Sequence, residues 1–159
     1  MPPLVSATIA LPILPADRTD PVVAVNPDAG ETVGWRELVE QVASVTDELP
    51  AADRPIILTS NYGEAGAIDR YRSELGLPPA YSGHNGYWEW GPPPESRGPV
   101  VLVGYRNPRV LAAFWDCQLA AKIENRAGVD NDENGAPIWA CAGVREPWPW
   151  LWPRLRRLR

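Results

Sequence analysis

Hydrophobic positions along the chain fall into two kinds of pattern. Trp35, Leu38, Val39, Val42, Val45 and Leu49 recur at helical spacing and stop at Pro50, which predicts an amphipathic helix ended by proline. "PIILTS" at 55–60 and "PVVLVG" at 99–104 are short, unbroken apolar runs bounded by turn residues, the signature of strands buried on both faces. A second helix should follow the first of these strands. Asn61 is placed to cap it, Glu64 stands three residues on as in a capping box, Ile68, Tyr71 and Leu75 form its inner face, and Gly76 is placed to close it. Asn107-Pro108 predicts the start of a third helix carrying Val110, Leu111 and Phe114.

Further along, residues 118–124 alternate, with Leu119, Ala121 and Ile123 expected on one side of a strand, and "IWACA" at 138–142 is the last predicted strand. Val22 to Val25 is a candidate edge strand, followed by the loop "NPDAGETVG". Strands therefore alternate with helices. The expected class is α/β: a layered, mostly parallel central sheet flanked by helices, with a C-terminal antiparallel hairpin. The expected division is an apolar stretch over 1–15, an α/β domain over 16–147 and a Trp/Arg-rich tail over 148–159.

Composition narrows this picture. The chain has 159 residues, the size of one domain, and is 45% hydrophobic, enough for a core. Net charge is −5, unevenly spread: Arg154, Arg156, Arg157 and Arg159 lie within the last six residues, and without them eleven basic residues face twenty acidic ones. An acidic body without a basic stripe argues against nucleic acid as partner. The tail pairs those arginines with alternating Trp148, Trp150 and Trp152. That combination suits a membrane surface, whereas the plainer reading has the tryptophans covering an open edge of the domain.

Cys117 and Cys141 match no zinc spacing, and a single histidine leaves too few soft ligands. They are either two buried thiols or a disulfide. A simple hairpin would set Cys141 opposite a residue near Ala120, leaving Cys117 about 10 Å away along the strand, beyond the ~7 Å reach of a disulfide unless a bulge or a late strand start closes the gap. "DNDENG" at 130–135 resembles half of a calcium loop, but Cys141 falls where a bidentate glutamate is required, so it reads as an Asx-rich turn.

Two clusters carry candidate chemistry. The turn Thr59-Ser60-Asn61-Tyr62-Gly63-Glu64 follows a buried strand and opens a helix, where open α/β sheets bind ligands; it contains neither a phosphate-cradling loop nor a dinucleotide fingerprint. The segment "SGHNGYWEWGPPP" at 82–94 gathers the only histidine, His84, with Asn85, Tyr87, Trp88, Glu89 and Trp90 among Gly and Pro. It is expected to be neither helix nor long strand. Aromatic faces beside amide and carboxylate groups suit sugar rings and lipid-linked head groups; the alternative is a loop that folds its tryptophans into the core. Glu64 and His84 form a candidate acid/base pair if they meet.

Taken together, "ALPILP", "NPDAGETVGW", "ILTSNYGEAGAIDRY", "YSGHNGYWEWGPP", "GVDNDENGAPIWAC" and "PWPWLWPRLR", in this order, resemble the soluble C-terminal domain of bacterial GT-C glycosyltransferases, the dolichyl-phosphate-mannose–protein mannosyltransferase-like membrane proteins. The resemblance runs from about Ala10 to Leu155. It implies a polyprenyl-phosphate-linked sugar donor used at the outer face of a membrane, and an accessory, substrate-positioning role beside a transmembrane catalytic part. "ALPILP" would mark the end of that part's last helix, and the chain would be an excised domain or a truncated product. Asn61, Tyr62, Glu64, His84, Asn85, Tyr87, Trp88 and Trp90 match the family's motifs and are the expected substrate-binding set. The resemblance carries over no catalytic residue, metal or cofactor. The rival expectation is a free-standing α/β module that binds carbohydrate or a lipid head group.

Overall fold

A computed structural model describes residues 34–50, 54–96, 98–126 and 133–158. The elements expected at 22–25, the "ALPILP" stretch and residues 130–132 of the acidic turn lie outside them.

The fold is α/β, built on a mixed five-stranded sheet in the order β2-β1-β3-β6-β5. The chain runs through α1 (Trp35–Asp47), β1 (Ile56–Thr59), α2 (Tyr62–Leu75), β2 (Ala80–Ser82), α3 (Gly86–Glu89), β3 (Val100–Val103), α4 (Pro108–Leu111), β4 (Phe114–Trp115), β5 (Gln118–Lys122), β6 (Pro137–Cys141), β7 (Gly143–Val144) and α5 (Trp148–Leu155). β1 pairs in parallel with β2 and β3, while β6 runs antiparallel to β3 and to β5. Only half of the pairings are therefore parallel. β4 and β7 form a separate two-stranded ladder. Among the described residues, no helix is long and apolar enough to cross a membrane.

β1 and β3 are buried at every position, because both faces of the sheet are covered. Ile57, Val101, Val103 and Ile138 meet Leu38, Val39 and Val42 of α1 and Ala65 and Ile68 of α2. Ile56, Leu58, Val100 and Leu102 meet Phe114, Trp148, Leu151 and Trp152 on the opposite side. Each aliphatic side chain so enclosed contributes roughly 1.5–3 kcal/mol.

The signals at the ends of α2 act as expected. The Asn61 side chain accepts from Glu64 N–H, Glu64 reaches back to Asn61 N–H, and Gly76 closes the helix in the left-handed region at φ 70°.

Several expectations change. The aromatic segment contains one helical turn, α3, between the positive-φ residues Asn85 and Gly91. The third helix stops at Leu111, and Phe114 enters β4 instead. The alternation in β5 breaks at a register shift between Leu119 and Ala121. Leu119, opposite Trp139, is turned away from Ala121 and Ile123 and is exposed. β5 also starts late, pairing Gln118 with Ala140, so the register sets Cys117 opposite Cys141 rather than Ala120. Their Cα atoms are 4.0 Å apart and the two cysteines are bonded.

The tail expectation changes most. α5 lays Trp148, Leu151 and Trp152 onto the sheet, and Trp148 is fully buried. These two tryptophans are core and are not free to meet a membrane; Trp150, 71% exposed, remains outside. Pro149 falls in the first helical turn, where its missing N–H costs little.

Candidate functional site

β1 and β3 are parallel neighbours, but the chain leaves β1 through α2 to reach β2 on one side and recrosses to place β3 on the other. Sheet order reverses at this point, and the connections that follow the two paired strands lead to different parts of the fold, which places a crevice at the strand ends, the usual ligand position in open α/β sheets. A cleft of about 590 Å³ opens there. Ser60, Asn61 and Glu64 form one wall, Gly104, Tyr105 and Arg106 the other, and Arg154, Arg156 and Arg157 close it from the C-terminal segment.

Glu64 is the centre of the cleft. It is 1% exposed, yet it lines the opening. Its Oε2 atom accepts from Ser60 N–H at 2.9 Å, the Ser60 hydroxyl at 3.1 Å and Asn61 N–H at 3.0 Å. Oε1 lies against Gly104, where a Cβ would come within 2.1 Å of it; Gly104 also holds φ +76°, so glycine is needed there twice over. Burial pushes the Glu64 carboxyl up to about 7, opposed by the hydrogen bonds from Asn61 and Ser60 and helped by the charge of Glu133. Asn61 links the two acids, donating through Nδ2 to Glu133 Oε1 at 3.3 Å. The Tyr105 hydroxyl is also raised, by burial and then by Glu64, with Arg157 acting in the opposite direction.

The C-terminal segment is fastened to the aromatic loop by main-chain pairing. Arg157 N–H donates to Gly83 O at 2.8 Å and Asn85 N–H donates to Arg157 O at 2.9 Å, a parallel bridge between His84 and Arg157. Gly83 is required because a Cβ there would lie 2.1 Å from Leu155 O. Trp88 and Trp152 hydrogen-bond to each other, and the Arg156 guanidinium sits 4.2 Å from the centre of the Trp88 ring while contacting Glu89.

The eight expected binding residues therefore separate. Asn61 and Glu64 line the cleft. Tyr62, half exposed, and His84, buried, pack ring against ring at 5.2 Å, so the turn after β1 and the aromatic loop do meet. Asn85 serves the bridge to Arg157. Trp88 packs towards the α5 side. Tyr87 donates to Asp69 Oδ2 at 3.1 Å on α2 and packs against Trp90 in a tilted ring contact at 4.4 Å; its hydroxyl is pushed up to about 12, first by burial and then by Asp69. Trp90 is 74% exposed. None of Tyr87, Trp88 and Trp90 lines the cleft.

The cleft residues that sequence reasoning missed are Tyr105, Arg106 and the tail arginines. The strand-end rule was applied to the turn after β1 alone, although it holds equally for the turn after β3. Nothing local placed the tail over them. A signal for the tail did exist: Trp148, Leu151, Trp152 and Leu155 follow helical spacing, hidden beneath the alternating tryptophans and Pro149 and Pro153.

Chemically, the cleft offers guanidinium groups for an anion, hydroxyls and an amide for polar contacts, and one buried carboxyl oxygen. The chain matches no protein-family model, and neither a curated protein nor a solved structure is detectably similar to it.

Proposed function

We propose that the cleft between β1 and β3 binds the head group of a phosphate-linked sugar, and that the chain works as an extracytoplasmic, substrate-positioning domain of a GT-C-type glycosyltransferase using a polyprenyl-phosphate-linked donor. The observation that carries this reading is the presence of Arg106 and Arg157 in the walls of a crevice at the sheet's reversal point, in a chain that is acidic overall; Arg154 and Arg156 border the same crevice with their guanidinium groups on Glu146 and on Glu89. A planar guanidinium matches phosphate oxygens in bidentate fashion, and a group of them in one crevice selects phosphate over a neutral sugar. Ser60 and Asn107 add polar groups at the same opening. The Cys117–Cys141 disulfide supports an oxidising, extracytoplasmic compartment. Trp150 is available to a membrane surface or to a transmembrane partner.

The reading is tested by titrating the chain with an alkyl glycosyl phosphodiester, which carries a single charge and a sugar ring. Saturable binding, weakened at least about tenfold by Arg157→Ala, is expected, in line with the loss of one charge-assisted contact. Equal binding of the neutral methyl glycoside would refute it.

A second reading, a free-standing carbohydrate module, draws on the exposed Trp90 ring held in a tilted contact with Tyr87 beside Asp69. It predicts that neutral oligosaccharides quench Trp90 fluorescence and that Trp90→Ala abolishes the effect.

A further inference from the structure

Glu64 has one oxygen saturated and one not. Three donors converge on Oε2, two of them main-chain N–H groups that cannot turn away. No hydrogen bond from the described residues reaches Oε1, which sits beside Gly104 in the wall of the cleft. A proton added to this carboxyl must therefore go to Oε1, because an O–H at Oε2 would collide with donors already in place. Protonation thus reverses the character of the one cleft-facing oxygen, from a charged acceptor to a donor.

The surroundings favour that reversal. Glu133, before β6, adds negative charge through the Asn61 contact. Tyr105 and Arg106 follow β3, and Arg154, Arg156 and Arg157 close the cleft from the C-terminal segment. An anion drawn in by those arginines would meet a buried negative carboxylate if Glu64 were ionised, and a hydrogen-bond donor if it were not.

We propose that Glu64 is the residue through which the cleft discriminates its ligand: an anion binds together with one proton, which is held on Glu64 Oε1 and donated in a hydrogen bond to the anion. The proposal rests on the cleft being an anion site, and it adds that occupancy is controlled by pH. The proton comes from solvent and returns to it when the anion leaves. With the free carboxyl titrating near 7, binding is insensitive to pH below that value and weakens as pH rises above it. The dependence approaches about tenfold per pH unit for a single linked proton.

The experiment is calorimetric titration of the full chain with the alkyl glycosyl phosphodiester, whose charge is constant across the range, in buffers of differing ionisation enthalpy at pH 8. The expected result is uptake approaching one proton per ligand, and an affinity that falls about tenfold from pH 7.5 to 8.5. In Glu64→Gln, the amide oxygen can keep the main-chain donors and the amide nitrogen faces the cleft, so proton uptake should vanish and affinity should no longer vary with pH. If Glu64→Gln does not fold, the proton count on the unaltered chain decides alone. Binding without proton uptake, or an affinity that rises with pH, would overturn the role of Glu64 and leave the anion site standing. Uptake that persists in Glu64→Gln would overturn it in favour of Glu133. Absence of binding by the folded chain at every pH would overturn the anion site and this inference together.

Discussion

Trp88 and Trp152 hold each other by exchanged hydrogen bonds: each indole N–H donates to the other's main-chain oxygen, both at 3.2 Å. The pair joins the aromatic loop to α5, and the bridge between His84 and Arg157 continues the seam to the residues that close the cleft. Loop and tail, separated by more than sixty positions, form one wall.

That seam depends on Gly83. In Gly83→Ala the new methyl would press on Leu155 O, a main-chain atom that cannot swing aside. We expect a loss of about 1–3 kcal/mol or more in urea unfolding, accompanied by weaker phosphodiester binding because Arg156 and Arg157 lose their anchor. Wild-type affinity in a destabilised Gly83→Ala would mean that the seam does not position the arginines.

The burial of Glu64 also makes stability depend on pH. Its carboxyl is raised from 4.5 to about 7 in the folded chain, so the folded state binds the proton more tightly than the unfolded state does. The associated stability is fully present below pH 4.5, declines between 4.5 and 7, and is absent above 7. Relative to Glu64→Gln, the wild type should lose of the order of 3 kcal/mol across that window. Denaturant melts of both proteins at pH 5 and pH 8 measure the difference, and a constant offset between them would exclude titration at this site.

The disulfide closes a loop with a sequence separation of 24 between β5 and β6. Restricting the unfolded chain over that length contributes about 3 kcal/mol. Reduction, or Cys117→Ser with Cys141→Ser, should lower the urea midpoint accordingly without changing the ligand affinity of a cleft formed by other residues. A lower affinity would reveal coupling between the β5–β6 edge and the cleft.

Trp148 and Trp150 are two positions apart and should behave oppositely. Trp148 is wholly buried against Phe114, so Trp148→Ala should cost about 3–5 kcal/mol. Trp150 is exposed, and Trp150→Ala should change stability by less than about 0.5 kcal/mol. Co-sedimentation with vesicles containing anionic lipid tests the remaining membrane role: Trp150→Ala should reduce any binding that the unaltered chain shows.

The local rules of the sequence reached as far as single elements. Continuous apolar runs identified β1 and β3, because a strand covered on both sides has no reason to alternate. Asn61, Glu64 and Gly76 marked the ends of α2, because capping is satisfied within a few residues. The same local logic singled out the turn after β1, whose Ser60, Asn61 and Glu64 line the cleft. Short pieces such as β2, β4 and β7 passed unread, being two or three residues long and held by their partners.

Tertiary structure decided what a window of residues cannot. The late start of β5 and its bulge brought Cys117 opposite Cys141, a matter of pairing between strands. The second face of the sheet needed a cover, and α5 supplied it, taking Trp148 and Trp152 inside although their alternation with Trp150 suggested a surface band. The arginines beyond them were carried over the strand ends by main-chain bonds to Gly83 and Asn85, contacts with no periodic trace in the sequence. Residue identity determined which charged and polar groups were present; only long-range pairing brought them around the buried carboxyl of Glu64.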